Sequence, residues 1–280
     1  MSFTFTVHSH GLAALAPGCI DDANGTYAFT VAIRDVVQTL RFSERDGMLH
    51  VTSDAAASDV DAAAIAAIAR RMFHLDDDLA PFYAMIAGDP ALSWAREGAG
   101  RMLASPLVFE DVVRTICTTN CAWSATTRMI SALVEMGGGA FPSAERLAKT
   151  PDRWFADVAR MGYRGPYVRA IARDVASGTL DLEVLLPRHG LEPDEVEERL
   201  LELPGVGPYA AAHMMQLLGY HGRLILDSWT RPTFLRLSGM KRASDTTIRR
   251  RFARYGPYAG LAFWLYLTTH WHEQSKETLS

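Results

Sequence analysis

Residues 200–219 read LLELPGVGPYAAAHMMQLLG. Upstream, Pro193 opens a helical segment whose first residues are acidic, as the positive end of a helix dipole prefers. A second helix opens at Pro208, where proline's missing N–H costs nothing because no helical carbonyl could receive it. Between the two lies Leu203-Pro204-Gly205-Val206-Gly207. Gly205 and Gly207 allow positive φ and leave no Cβ to obstruct an approaching backbone. Val206 can pack down between the helices. The pattern predicts a helix-hairpin-helix over 200–219, with exposed amides at a helix N-terminus that suit a phosphate. An ordinary αα-hairpin is the bland alternative. Two glycines flanking one aliphatic residue, with proline on each side, favour phosphate.

The rest of the chain bounds what such a hairpin could serve. At 280 residues, 49% hydrophobic and 21% charged, the protein has ordinary globular composition and room for one large domain or two modest ones. The first residues show no basic segment followed by an apolar run, and no stretch is apolar enough to span a membrane. Cys19, Cys117 and Cys121 are too few for a disulfide framework, so a reducing, intracellular setting is expected, cytoplasmic and nucleoid-associated. At their i, i+4 spacing a helix would set Cys117 and Cys121 on one face, but with no nearby histidine they read as core residues rather than metal ligands.

The net charge of −4 argues mildly against a nucleic-acid partner, but it is unevenly spread. Residues 1–150 hold 11 basic and 17 acidic side chains, whereas residues 201–260 hold nine basic against three acidic. The basic stretch (Arg223, Arg231, Arg236, Lys241, Arg242, Arg249, Arg250, Arg251, Arg254) is either a solvated helix face or a footprint for a phosphate backbone.

Strand patterns crowd the beginning of the chain. Phe3, Phe5 and Val7 alternate with polar residues, residues 27–33 are rich in β-formers, and two further strands flank Glu44-Arg45-Asp46-Gly47. An alanine-rich helix covers Ala62 to Met72. From about Asp76 the pattern is helical, punctuated by Gly and Pro. The expected fold class is α+β: a small N-terminal antiparallel sheet domain with a helix over 1–90, then a mostly helical, two-lobed domain over 91–280.

Past the hairpin, residues 224–232 read LILDSWTRP. Taken alone, Asp227 is an N-cap, with Pro232 early in the helix that follows. A Leu-Pro-Gly-Val-Gly hairpin followed by an apolar run ending in Asp resembles, however, the helix-hairpin-helix DNA glycosylases. The likeness runs from about residue 76 to 270 and is closest to the 8-oxoguanine and 3-methyladenine-II branch. Within it, ICTTN at 116–120 resembles the segment whose Asn fills the gap left by a flipped nucleotide. MGYRGPY at 161–167 resembles the strand wedge, and YGPYAG at 255–260 resembles a block that helps build the base pocket.

That resemblance implies Asp227 as the catalytic carboxylate and double-stranded DNA with a flipped damaged base as the partner of a monomeric enzyme. It implies DNA contacts from Asn120, Tyr163, Arg164, Leu203, Pro204, Gly205, Val206 and Gly207, with Arg164 reaching the opposite strand. Tyr209, His213, Trp229 and Phe263 become candidates to line the base pocket, each with plain core packing as its alternative. It also implies a sodium or potassium ion on the main-chain carbonyls of Leu201, Leu203 and Val206, and no other cofactor, since the cysteines for an iron–sulfur cluster are absent.

Two departures sharpen the expectation. Bifunctional members carry a lysine two residues after the second hairpin glycine, where this chain has Tyr209, and a phenol cannot form an imine. The glutamine that reads guanine in 8-oxoguanine enzymes is here Phe263. The expected activity is therefore hydrolysis, by a monofunctional enzyme, of the N-glycosidic bond of an alkylated base. A bifunctional or 8-oxoguanine-directed enzyme and a non-catalytic damage-binding protein are the rivals.

Overall fold

The computed structural model describes the backbone of residues 1–278, and side chains through Thr269 together with Trp271. Four strands, β1 (Gly18–Asp21), β2 (Thr26–Ile33), β3 (Val36–Arg45) and β4 (Met48–Ser53), form one antiparallel sheet in the order β1-β2-β3-β4. Strand alternation is strict where the sheet faces inward: Tyr27, Phe29, Val31 and Ile33 of β2 and Leu40 and Phe42 of β3 are buried. The register sets Tyr27 opposite Phe42 and Phe29 opposite Leu40. Asp46 and Gly47, at φ 53° and 74°, make the two-residue turn of the β3–β4 hairpin. Both positive values match the right-handed twist of the strands.

Helix α1 (Phe3–Val7) stands where alternation predicts a strand. Its three apolar residues are buried on different faces: Phe3 and Val7, one turn apart, pack on the sheet, while Phe5 enters a separate helical core. A helix can bury both faces at once, and Ser2 caps it by accepting the Phe5 N–H. The alanine-rich α2 (Ala62–Met72), capped by Asp61, closes over the sheet and brings Phe73 within 5.0 Å of the Phe42 ring.

The remaining helices are α3 (Ala80–Met85), α4 (Val108–Ile116), α5 (Trp123–Met136), α6 (Ala144–Lys149), α7 (Arg164–Ser177), α8 (Pro193–Glu202), α9 (Pro208–Leu218), α10 (Thr230–Ser238), α11 (Asp245–Phe252) and α12 (Ala259–Thr278). They form two cores. One is built from α4 to α9, with the buried α9 at its centre; the other joins α3 to α10, α11 and α12. Residues 3–15 contribute to both cores and to the sheet, so packing is continuous between the sheet and the helices. Within α9 nearly every side chain is buried, which fixes its first turn as a rigid edge. No helix among the described residues is long and apolar enough to cross a membrane.

Candidate DNA interface and catalytic site

The hairpin is formed by α8, residues 203–207 and α9. Leu203 and Val206 are buried under the turn, and Val206 N–H donates to the Leu203 carbonyl at 3.1 Å. The two glycines serve different ends. Gly205 sits at φ 85°, and a Cβ there would lie 2.7 Å from the Tyr167 ring. Gly207, in contrast to the expectation of positive φ, is extended at φ −102° and ψ −177° as the N-cap of α9. Nothing lies within 4 Å of its would-be Cβ. Gly205 is thus required by the fold, whereas Gly207 leaves open space before the free amides of α9.

Beyond α9, Leu224, Ile225 and Leu226 are buried and carry the chain to Asp227, which is half-buried. Its Oδ1 accepts the N–H groups of Trp229 (2.8 Å) and Thr230 (2.6 Å). Thr230 Oγ1 accepts the Asp227 N–H at 2.8 Å, a reciprocal cap at the start of α10. Trp229 stands at the N-cap position of α10, so the N-cap reading of Asp227 falls two residues early, and its carboxylate closes the turn that leads into the helix. Because Oδ1 alone receives both of these amides, the carboxylate is oriented while Oδ2 takes no part in the cap.

Tyr209 and His213, one turn apart on α9, lie within electrostatic reach of this carboxylate. Their rings are 6.1 Å apart, and both feel the charge of Asp227. Burial pushes the Tyr209 phenol above its ordinary range, and its hydroxyl meets Thr118 Oγ1 at 3.2 Å. His213 is buried, and neither ring nitrogen has a hydrogen-bond partner among the described residues. Burial lowers it to about 4, against the pull of Asp227. Trp229, 37% exposed, packs against Trp264 and Trp271 at 5.8 and 5.4 Å.

Phe263 is a correction. It is fully buried in the second core, between Phe234 and Phe252, and lines no pocket with Tyr209. An aromatic residue in the first turns of an apolar helix stretch carries no local sign of which face it takes.

Asn120 and Tyr163 come together from distant segments: Asn120 Nδ2 donates to the Tyr163 hydroxyl at 3.3 Å, and Tyr163 is 49% exposed. Asn120 holds a left-handed backbone at φ 46°, which asparagine tolerates better than most residues. Arg164 is the second correction. Its side chain is buried and turned inward, donating to the carbonyls of Thr119 and Met161, with its guanidinium 4.5 Å from the Tyr163 ring centroid. It braces the Asn120 and Tyr163 pair and presents nothing to an opposite strand.

The basic stretch also thins. Arg223 binds Asp194 and Glu197, Arg231 grips Asp245 with two bonds of 2.8 and 2.9 Å, and Arg254 meets Asp89. Arg251 lies over the Phe234 and Tyr266 rings. Arg236, Lys241, Arg242, Arg249 and Arg250 are exposed and carry no ion pair among the described residues. Sequence reasoning missed Thr118 as the Tyr209 partner, Trp264 and Trp271 as companions of Trp229, and His10, whose ring is 5.8 Å from that of His213. Nothing near His10 in sequence signals that neighbour. Cys117 is buried and Cys121 lies against it, as expected of core residues.

No protein-family model matches the chain. In sequence it is 31% identical over 155 residues to a DNA-3-methyladenine glycosylase of Bacillus subtilis, a match covering 51% of this chain and 50% of that protein. The chain thus spans half the length of that relative. It is 26% identical over 235 residues to a probable N-glycosylase/DNA lyase of Methanothermobacter thermautotrophicus, covering 71% of this chain and 72% of that one. In structure it resembles the 3-methyladenine DNA glycosylase from Archaeoglobus fulgidus, with a TM-score of 0.72 at 16% identity over 97% of this chain and 96% of the other. Its relatives in sequence and its neighbours in structure are thus DNA glycosylases, and its fold is similar to that of the helix-hairpin-helix members among them.

Proposed function

We propose that this protein is a monofunctional DNA glycosylase of base excision repair that hydrolyses the N-glycosidic bond of an alkylated purine in double-stranded DNA. The observation that carries the reading is the Asp227 carboxylate, oriented through Oδ1 at the head of α10 beside Tyr209 and His213. As the C1′–N bond breaks, positive charge builds on the sugar, and a fixed carboxylate stabilises it. A water oxygen bonds to C1′, and Asp227 takes its proton. A purine alkylated on a ring nitrogen already carries the positive charge, so it leaves as a neutral base and needs no acid. Indole and phenol faces at Trp229 and Tyr209 favour such a cation.

DNA would be gripped at Gly207 and the first amides of α9, with Asn120 and Tyr163 occupying the gap left by the flipped nucleotide. A sodium or potassium ion on the carbonyls of Leu201, Leu203 and Val206 is compatible with the turn. Main-chain oxygens suit a hard cation, and the Val206 N–H engages only one lone pair of Leu203. Such an ion would tie the turn to phosphate without touching the chemistry. The enzyme is proposed to act as a monomer.

The relative from Methanothermobacter, named as a probable lyase, keeps a bifunctional enzyme as the second reading. Abasic-site formation on duplexes holding 7-methylguanine, 3-methyladenine, hypoxanthine or 8-oxoguanine tests both. Strand breaks only after alkali support the first, and breaks without alkali support the second. No base release from any duplex would leave a binding protein.

A further inference from the structure

We propose that His213 reads the extruded base by a hydrogen bond, so that the site selects an alkylated purine whose pairing edge is chemically intact. The proposal rests on the glycosylase reading above. Its observation is geometric. His213 is 6% exposed, yet neither Nδ1 nor Nε2 has a partner among the described residues. A buried polar side chain with no partner loses its bonds to water without replacing them, and native proteins keep very few. Where one persists beside a carboxylate and a half-buried phenol, a ligand is the natural partner.

The surroundings say what kind of ligand. Tyr209 and His10 are both neighbours of the imidazole, with ring centroids 6.1 and 5.8 Å away. The Nε2 of His10 lies 2.7 Å from the Leu103 carbonyl, so that nitrogen carries the proton and the ring is anchored. The groups bearing on His213 are therefore one carboxylate (Asp227), one phenol (Tyr209) and one anchored imidazole. Held neutral by burial, His213 offers one donor and one acceptor and adds no positive charge to repel a cationic base. A purine methylated at N7 or N3 keeps its six-position oxygen or amino group to meet one of them. A purine bridged across N1 and N6 has no amino hydrogen left to give the imidazole's acceptor, only a ring nitrogen that accepts. Stacking alone would accept both, whereas a hydrogen-bonding site rejects the second.

The test compares His213→Gln, which keeps a donor and an acceptor, with His213→Phe, which keeps an aromatic ring. Single-turnover release is measured on whichever of 7-methylguanine, 3-methyladenine and hypoxanthine the wild type releases fastest. Affinity for a duplex with an abasic site, which offers no base to read, is measured alongside. We expect His213→Gln to stay within about fivefold of wild type and His213→Phe to lose about tenfold to a hundredfold, with abasic-site affinity unchanged in both. Wild type should also release 1,N6-ethenoadenine more slowly than 3-methyladenine, whose amino group can still donate. Full activity in His213→Phe with loss in His213→Gln would overturn the proposal in favour of stacking. Equal losses in both, with abasic-site affinity falling in parallel, would overturn it in favour of packing. No release from any duplex by wild type would remove the glycosylase reading and this proposal together, an outcome distinct from either pattern among the variants.

Discussion

Asp227 and Thr230 hold each other in place: the Asp227 Oδ1 accepts the Thr230 N–H at 2.6 Å, and the Thr230 Oγ1 accepts the Asp227 N–H at 2.8 Å. One carboxylate oxygen is spent on the helix cap, and the pairing fixes where the other can be. Asparagine caps a helix about as well as aspartate. Asp227→Asn should therefore keep wild-type melting temperature and duplex affinity while losing base release, because only the transition-state charge is removed. Thr230→Ala should do the reverse in part, lowering stability by about 1 kcal/mol and slowing release through a loosened carboxylate. Turnover by Asp227→Asn at the wild-type rate would take this residue out of the chemistry.

The two hairpin glycines should separate under substitution by alanine. Gly205→Ala forces a left-handed alanine against the Tyr167 ring, so it should lower stability by about 1–2 kcal/mol before any question of DNA arises. Gly207→Ala meets no neighbour and needs no unusual φ, so thermal unfolding should be unchanged. Its methyl group would instead stand where a phosphate approaches, weakening binding to damaged and undamaged duplexes alike. Fluorescence anisotropy on both duplexes checks this; a loss confined to the damaged one would show that the hairpin senses more than backbone.

How much of this site was legible follows from how local each part is. Proline at helix starts, glycine at a turn and an aspartate ahead of a helix act within a few residues, and these parts of the reading stand. Phe263 and Arg164 were misplaced because their faces are chosen by segments far along the chain, Phe252 and Thr119 among them. Residues 3–7 misled for a related reason: two-residue alternation predicts a strand only when one face is buried, and here both are. His10 could not be found at all without the fold.

Stability should peak near pH 6.5. Burial depresses His10 to about 3 and His213 and His221 to about 4, from an ordinary 6.5. The folded state thus binds fewer protons than the unfolded chain between those values. The contribution of these imidazoles is complete above pH 6.5 and is lost as pH falls, by about 1.4 kcal/mol per pH unit for each group. Glu110 works the other way. Burial raises it to about 8 despite Arg114 at 3.3 Å, so its uncharged form is favoured by folding and stability declines as pH rises from 4.5 to 8. Urea unfolding at pH 5, 6.5 and 8 should give the highest midpoint in the middle, and Glu110→Gln should flatten the alkaline side while steepening the rise from pH 5 to 6.5. A midpoint that climbs steadily to pH 8 would contradict the assignment of Glu110.

The last prediction concerns lyase activity. A lyase that works through an imine needs an amine that can attack C1′, and the place after the hairpin holds Tyr209, whose phenol is kept protonated by burial and bonded to Thr118. The chain has three lysines, Lys149, Lys241 and Lys276. Lys149 ends α6, and Lys241 is exposed in the turn between α10 and α11. Lys276 lies outside the described side chains. Borohydride added during turnover should trap no covalent protein–DNA adduct, and nicks should appear only after alkali opens the abasic product. Replacing Tyr209 with lysine offers the positive control: an amine one turn from His213 and within the field of Asp227 should form a trappable adduct if this site is where the sugar sits. An adduct with the wild type that vanishes in Lys241→Ala would overturn the monofunctional assignment and give Lys241 the role. One that survives that change would direct attention to Lys149, Lys276 or the terminal amine. If Tyr209→Lys yields no adduct while base release by the wild type is normal, the sugar lies away from position 209 and the placement of the site must be redrawn.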